Sequence, residues 1–237
     1  MKILPNIDIV DLSLYVDSTL VIADVHIGYE EALNKQGVLV PRLQFEEIVK
    51  RIELIFGLLK NKQIKTIVIN GDLKHEFGTI SEQEWRNTLK FIDLLSRHCK
   101  EIILIKGNHD NILGPIAGKR GVKVVDSFEA GDVLITHGNR IPSIKNCKTI
   151  IIGHEHPAVS LKEGPRVERF KCFLKGRYKG KNLIVQPSFN TIIEGTDILK
   201  DKVMSPFLRQ NLDNFDVYIV EDKVYEFGKV KRLRKDR

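Results

Sequence analysis

The chain has 237 residues, of which 42% are hydrophobic and 29% are charged. This composition is typical of a soluble globular protein, and the length suffices for one large α/β domain or two small ones. No apolar run is long enough to span a bilayer, and the N-terminus lacks a secretory pattern. The three cysteines, Cys99, Cys147 and Cys172, form no CxxC pair. We therefore expect a reduced cytoplasmic protein without a zinc–thiolate site.

The net charge of +7 is concentrated in two basic segments. Residues 160–182 carry +6 and residues 229–237 carry +5, so the rest of the chain carries −4. Segregated basic segments can bind a polyanion, although a basic hairpin and a basic tail are often only solvated surface. We expect residues 1–228 to form one domain and residues 229–237 to be a basic tail, either a docking segment or solvated chain.

Strands and helices alternate in the first half of the chain. A helix is predicted over residues 41–60, which begin with proline and repeat apolar residues on one face. A second helix is predicted over residues 81–97, where Ser81 and Glu84 have capping-box spacing. Short apolar runs predict buried strands at Thr19–Ala23, Thr66–Asn70 and residues 102–105.

The second half of the chain is mostly strand. Gly114 and Pro115 indicate that any helix after the strand at residues 102–105 is short. The predicted elements are strands at residues 132–136 and Thr149–Ile152, a hairpin of residues 170–174 with 183–186, and a hairpin of Asp216–Val220 with residues 224–227. This order indicates an α/β fold of stacked sheets with helices outside.

Five of these strands end in residues that can bind a metal ion. The candidates are Asp24, His26, Asp72, Asn108, His109, His137, His154 and His156, which include five of the seven histidines. A single strand end of this kind could be explained by a residue that caps the following helix, but capping does not explain five of them. Strand-end loops are where α/β folds place their chemistry.

The donor types narrow the choice of ion. Carboxylate, amide and imidazole groups without thiolates suit Mn²⁺, Fe or Zn²⁺ better than Cu(I) or Ca²⁺. The donors are too many for one ion with an open position and are enough for two. Because alternate residues of extended chain share a face, Asp24 and His26 can project together, as can His154 and His156.

The motifs Asp-x-His, Gly-Asp, Gly-Asn-His-Asp, His and Gly-His-x-His follow one another between Asp24 and His156. In this order they resemble the calcineurin-like metallophosphoesterase superfamily. Residues 23–30, 71–77 and 186–190 are also similar to small archaeal phosphoesterases related to the SbcD-type repair nucleases. The resemblance implies a four-layer α/β/β/α sandwich of two mixed sheets flanked by helices.

The resemblance further implies two divalent metal ions, for which we expect Mn²⁺, with Fe, Zn²⁺ or Ni²⁺ as alternatives. Asp72 would bridge them. Asp24, His26 and His156 would complete one site, and Asn108, His137 and His154 the other. The ions would hold phosphate oxygens and lower the pKa of a water, so that hydroxide attacks in line.

The resemblance also assigns the residues around the phosphate. His109 would protonate the leaving oxygen, and Asp110 would orient His109. His75 lies three residues after Asp72, as a histidine does in the SbcD-type nucleases. The protein phosphatases of the superfamily instead carry an Asp-Arg-Gly pattern in this region. The missing arginine favours a phosphodiester substrate. Asn108 and Arg140 complete the predicted substrate contacts, although Arg140 also fits an ordinary surface residue.

Three functions remain open at this stage. The first is a nuclease or phosphodiesterase acting on nucleic acid, with a helicase or other repair protein as a conceivable partner and no membrane association. The second is a phosphodiesterase for a cyclic or dinucleotide. The third, a binding scaffold with an inactive metal site, is disfavoured because every ligand position is filled.

Overall fold

A computed structural model describes residues 1–75, 81–110 and 118–235 and contains two mixed β-sheets. The first sheet has seven strands in chain order, of which β1 to β4 pair antiparallel and β4 to β7 pair parallel. They are β1 (Lys2–Leu4), β2 (Ile7–Val10), β3 (Ser13–Val16), β4 (Thr19–Ala23), β5 (Thr66–Asn70), β6 (Glu101–Ile105) and β7 (Lys123–Val125).

The second sheet has the order β14-β11-β12-β13-β10-β9-β8, and β15 joins it by pairing with β12 and β16. Its strands are β8 (Ser127–Ala130), β9 (Val133–Thr136), β10 (Thr149–Ile152), β11 (Pro157–Glu163), β12 (Arg166–Tyr178), β13 (Lys181–Val185), β14 (Thr196–Asp197), β15 (Asp216–Val220) and β16 (Val224–Lys229). Strands β9, β10 and β13 run parallel to one another.

Three helices follow strands of the first sheet or lie beside it. They are α1 (Tyr29–Lys35), α2 (Gln44–Leu58) and α3 (Glu82–Ser96). As the capping-box spacing predicts, the Ser81 hydroxyl accepts a hydrogen bond from the Glu84 backbone N–H. A 3₁₀ turn (Pro206–Leu208) and a C-terminal helix (Val230–Lys235) complete the described elements. None of the described helices is both long and apolar enough to cross a membrane.

Two hydrophobic cores hold these layers together. The larger core lies between the two sheets and extends to α2 and α3. The smaller core covers the opposite face of the second sheet. Strand β10 shows the division, because Ile151 packs into the larger core while Ile150 and Ile152 pack into the smaller one. The prediction of two mixed sheets flanked by helices is confirmed.

Several elements were not predicted from the sequence, namely the β1–β3 meander, α1, and strands β7, β8, β11 and β14. The predicted short helix near Gly114 and Pro115 falls outside the described residues, as do Glu76 and Phe77 of the 71–77 motif. The four strands predicted at Thr19–Ala23, Thr66–Asn70, Thr149–Ile152 and Asp216–Val220 have those observed bounds.

The expectation of a solvated basic tail is wrong for most of residues 229–237. Strand β16 includes Lys229, and the next six residues form a helix. Val230 is fully buried in the smaller core, and Leu233 packs against it. Arg234 forms an ion pair with Asp213, with 2.7 Å between the two charged atoms. Apolar residues at helical spacing within the basic run explain why it folds onto the second sheet.

Candidate metal centre

The ends of five strands meet at one place between the sheets. In the first sheet β4, β5 and β6 are parallel neighbours, and the loops after them carry Asp24, Asp72 and Asn108. In the second sheet β9 and β10 are parallel neighbours, and the loops after them carry His137 and His154. Parallel pairing puts the carboxyl ends of neighbouring strands at one edge, which explains the convergence.

The predicted ligands assemble into two groups of three. Asp24, His26 and His156 place ligand atoms within 4.8 Å of one another, and so do Asp72, His137 and His154. These groups share the division that the resemblance implied for the two metal sites. Asn108 joins the second group through its Oδ1 atom, which lies 3.1 Å from His137 Nε2.

Asp72 lies between the two groups. Its Oδ2 atom is 3.8 Å from Nε2 of His26, in the first group, and 3.4 Å from Nε2 of His137, in the second. Its Oδ1 atom accepts a hydrogen bond from the His109 backbone N–H at 2.8 Å. One carboxylate oxygen is thus fixed by the backbone while the other faces both groups, which is the position that a bridging ligand requires.

The donor atoms fit divalent ions. Within the described chain, Asp24 Oδ1, both ring nitrogens of His26, His137 Nδ1 and His156 Nε2 are buried and make no hydrogen bond. Buried polar atoms are normally satisfied, so a cluster of unsatisfied ones indicates ligands for a group that binds there. The set contains only oxygen and nitrogen donors, which suits Mn²⁺, Fe or Zn²⁺.

The two carboxylates make this pocket strongly negative. Burial raises the pKa of Asp24, but His156 and His137 outweigh burial and hold that pKa below its usual value. For Asp72 the hydrogen bond and charge of His137 likewise outweigh burial and lower the pKa. Burial alone would lower the pKa of His137, but Asp72 and Asp24 raise it to about 9. In the metal-free protein His137 therefore carries a proton at neutral pH.

Two other histidines are already neutral. Burial, followed by the charge of His156, lowers the pKa of His26 to about 3. Burial and the charge of His137 lower the pKa of His154 to about 4. A neutral imidazole is the form that binds a metal ion, so these two rings need to lose no proton when an ion enters.

The backbone at the ligands is strained. Asp24, His26, Asp72, His154 and His156 all have positive φ, between 34° and 61°. This conformation costs most residues with a Cβ atom about 1–2 kcal/mol, and Asp and His adopt it more readily than the others do. Each such residue turns the chain sharply at the strand end and aims its side chain inward. Among the described non-glycine residues, nine have positive φ, and five of these nine are predicted ligands.

His109 stands beside the first metal group. Its ring lies 5.0 Å from that of His26, edge to face, and His26, His75 and His109 form a third group of potential ligands. His109 Nδ1 lies 2.6 Å from the carbonyl oxygen of His75. Because that oxygen can only accept, Nδ1 carries a hydrogen, and Nε2 is the nitrogen left to exchange a proton with a substrate.

Asp110 was predicted to orient His109, but its carboxylate contacts backbone N–H groups rather than the His109 ring. Its Oδ1 accepts from the Leu73 backbone N–H at 3.2 Å, and its Oδ2 accepts from the Gly107 backbone N–H at 3.0 Å. Asp110 therefore ties together the loops after β5 and β6, and the backbone carbonyl of His75 contacts the His109 ring instead. Burial and the charge of Asp72 raise the pKa of Asp110 to about 7.

Lys74 supports the same loop and was missed in the sequence. Its side chain is fully buried, and its Nζ donates to the carbonyl oxygen of His109 at 2.8 Å. Lysine side chains are normally exposed, so the residue type did not indicate that Lys74 would be buried beside the site. Its position between Asp72 and His75 was the available clue.

The stretch 186–190 holds the first metal loop from the second sheet. The Ser188 hydroxyl donates to the Asp24 carbonyl oxygen at 2.8 Å, and Asn190 Nδ2 donates to the His26 carbonyl oxygen at 3.3 Å. Gln44 Nε2 donates to the same His26 oxygen at 3.0 Å. The sequence singled out residues 186–190 by resemblance only, and these contacts supply a physical reason for them.

Arg140 does not join the cluster. Its guanidinium pairs with Asp126 at 2.5 Å, and both side chains are two-thirds exposed. This exposed ion pair fits the alternative prediction of an ordinary surface residue. His75 does lie at the centre, with its ring 5.1 Å from that of His109. His98 lies elsewhere, stacked on Phe56 at 3.8 Å.

Comparison with known proteins agrees with this geometry. Among solved structures, Pseudomonas putida nuclease MPE has a TM-score of 0.65 at 20% identity over 92% of this chain and 93% of that one. Yfce, a phosphoesterase from E. coli, has a TM-score of 0.39 at 12% identity over 89% and 97%. Zn²⁺-complexed Vps29 from Entamoeba histolytica has a TM-score of 0.39 at 16% identity over 88% and 96%.

The first likeness shows a shared fold, whereas the other two TM-scores are too low to indicate one. No curated protein sequence matches the chain. The family model for calcineurin-like phosphoesterases matches residues 18–211, which is well over half of the chain and includes every candidate metal ligand. The chain belongs to the calcineurin-like phosphoesterase family and is a metal-dependent hydrolase of phosphoric ester bonds.

Proposed function

We propose that the protein hydrolyses phosphodiester bonds of nucleic acid with two Mn²⁺ ions. The observation that carries this proposal is the pair of ligand groups that meet at Asp72 Oδ2. Asp24, His26 and His156 would hold one ion, and His137, His154 and Asn108 the other. When bound, such ions neutralise a phosphate and activate a water for in-line attack.

The protein's own residues supply orientation and the proton. His109 would donate from Nε2 to the leaving oxygen, because its Nδ1 is held by the His75 carbonyl. The His75 carbonyl oxygen thereby links the loop after β5 to the loop after β6. The His75 N–H donates to Glu84 Oε1 of α3 at 2.9 Å, which holds His75 in place. Both rings lie on the His26 side of the centre.

Three observations favour a nucleic-acid diester. The Asp-Arg-Gly pattern expected for phosphomonoesters is missing after Asp72. The resemblance to SbcD-type nucleases extends to residues 186–190, which contact the metal loop. A solved structure that shares the fold over most of the chain is that of Pseudomonas putida nuclease MPE. A cytoplasmic location and a helicase or other repair protein as partner stay predictions from the resemblance and from cysteine usage.

The basic segments contribute less to this proposal than their charge suggests. Within residues 160–182, Arg169 lies 3.8 Å from both Glu194 and Asp201, and Lys175 lies 3.4 Å from Asp216. These acidic partners reduce the positive field that a polyanion would meet. We therefore expect substrate affinity to depend on the metal centre more than on these segments.

The test is hydrolysis of a single-stranded DNA oligonucleotide and of bis-p-nitrophenyl phosphate, with Mn²⁺ present or chelated. We expect metal-dependent cleavage of both. In His109→Ala, DNA cleavage should fall about 10²–10⁴-fold, as for loss of a general acid. The p-nitrophenyl ester should lose less, because its leaving group needs no proton. Cleavage of the small diester with intact DNA would replace nucleic acid by a small-molecule phosphodiester, and activity on neither would overturn the proposal.

A further inference from the structure

A cavity of about 500 Å³ adjoins the candidate metal centre at His156. Its walls include an aromatic ring, three apolar side chains and two polar ones. These residues are Tyr29, Ile192, Ile193, Met204, Glu194 and Thr196. The volume lies in the range of sites that hold small molecules or parts of larger ones.

Tyr29 connects this cavity to the residues around the reacting phosphate. Its ring meets that of His75 edge to face, with 4.7 Å between the ring centroids. His75 in turn lies 5.1 Å from His109. A group attached to a phosphate at the metal centre would therefore reach Tyr29 and the cavity directly.

The wall formed by Thr196 and Met204 is hydrogen-bonded to the metal loop that carries His154 and His156. The Thr196 N–H donates to the His156 carbonyl oxygen at 2.9 Å. The Met204 N–H donates at 2.9 Å to Oε2 of Glu155, which lies between the ligands His154 and His156. The cavity therefore keeps its shape relative to the metal ligands.

The isoleucine side of the cavity is tied to the other metal loop. The Ile192 N–H donates to Asn190 Oδ1 at 2.9 Å, and the same asparagine donates to the His26 carbonyl oxygen. Both sides of the cavity are thus held by residues that also hold candidate metal ligands. This construction is what a substrate subsite needs.

The chemistry of the walls identifies the occupant. Tyr29, Ile193 and Met204 suit the faces of a flat heterocycle, because stacking and apolar contact need no particular hydrogen bond. Thr196 and Glu194 can meet its polar edge. Glu194 is exposed, and its carboxylate lies 3.8 Å from the Arg169 guanidinium.

We propose that this cavity is a nucleobase subsite, in which Tyr29 stacks on the base next to the phosphate that is cleaved. This inference rests on the proposed function and names the part of the substrate that the cavity recognises. It makes Tyr29 and Ile193 specificity-determining residues.

The test compares two ligands that carry a base with one that does not. The affinities of 5′-dAMP, 3′-dAMP and 2-deoxyribose 5-phosphate are measured by calorimetry in Mn²⁺ buffer, and ligand integrity is checked afterwards. We expect at least one nucleotide to bind about 5- to 150-fold more tightly than the sugar phosphate, the range for one base stacked on an aromatic side chain. Tyr29→Ala and Ile193→Ala should each reduce this advantage, and Tyr29→Phe should keep it.

Tyr225→Ala is the matched control, because Tyr225 is a partly exposed tyrosine on β16 that contacts Asp222 and not the cavity. Equal affinity for all three ligands, or an advantage unchanged in both alanine variants, would overturn the subsite. Hydrolysis of methyl p-nitrophenyl phosphate, which carries no base, is measured in parallel. If this hydrolysis is present but the protein shows no preference for ligands with a base, the nucleobase subsite is overturned and the proposed reaction is not. If base preference is present without hydrolysis, the subsite stands and the proposed reaction fails.

Discussion

His137 is the candidate ligand that must lose a proton before it can bind a metal ion. It contacts both carboxylates, with Nδ1 3.4 Å from Asp24 Oδ1 and Nε2 3.4 Å from Asp72 Oδ2. Their charges explain why its pKa rises to about 9 in the metal-free protein, although burial alone would lower it. The positive charge of protonated His137 then partly neutralises the two carboxylates, as a bound metal ion would.

We expect Mn²⁺ binding at pH 7.5 to release about one proton, because a ligating imidazole must be neutral. The apparent affinity should rise with pH up to about 9. Since this pKa lies above the ordinary histidine value of about 6.5, the metal-free protein should also lose stability as the pH rises through 9. Calorimetry in buffers of different ionisation enthalpy measures the proton count. His137→Asn is the control, and equal heats in all buffers would contradict the assignment.

Lys74 should act as a positioning residue for His109. In Lys74→Met the His109 carbonyl loses its buried donor, so the imidazole should shift from the leaving oxygen. We expect cleavage of a dinucleotide to fall about 10- to 100-fold. Cleavage of a p-nitrophenyl diester should fall less, because its leaving group needs no proton.

Lys181→Met is the matched control for this variant. Lys181 Nζ, on β13, also donates to a backbone carbonyl, that of Cys147 in the loop before β10. An equal loss on both substrates in Lys74→Met would mean that Lys74 only stabilises the fold.

At the scale of elements, the strand ends approach one another so closely that particular glycines are required. A Cβ atom at Gly107 would lie 1.9 Å from Asp72 Oδ1 and 2.3 Å from the Asp72 backbone nitrogen. This contact joins the loops after β5 and β6. Any side chain at Gly107 must therefore displace the carboxylate that faces both metal groups.

Gly107→Ala should lower the free energy of unfolding by about 1–3 kcal/mol and weaken metal binding. Gly57→Ala is the control, because a Cβ atom at Gly57 in α2 would meet nothing within 4 Å. That change should be neutral or stabilise by up to about 1 kcal/mol. Urea unfolding and metal analysis measure both effects. A Gly107→Ala protein with wild-type stability and metal content would contradict the close approach.

The sequence predicted the strands that carry ligands because each is an apolar run followed by polar residues. It did not predict the β1–β3 meander, whose strands are three or four residues long and depend on pairing with one another. It also could not show which backbone donors Asp110 meets, since those come from two loops joined only in the folded chain. The division of the donors into two groups around Asp72 was implied by the resemblance to the superfamily, and the described side chains assemble in the same two groups.

At the scale of the whole molecule, the C-terminal basic run is part of the second sheet's cover. We expect Val230→Ala to lower the free energy of unfolding by about 1–3 kcal/mol, because its fully buried side chain would leave a cavity. Lys231→Ala, at an exposed neighbouring position, should change it little. Thermal or urea unfolding measures both. Equal stability of both variants would support a solvated tail instead.

The positive φ angles at five candidate ligands have a consequence for how this protein can change. The surrounding loops hold each of these angles, so replacing one of these residues by glycine, which has no Cβ atom, would relax the chain. Selection for heat resistance alone, without a demand for turnover, should therefore remove these residues early. The region that performs the reaction is also where the fold gives up stability, and a trade-off between durability and activity is built into its backbone.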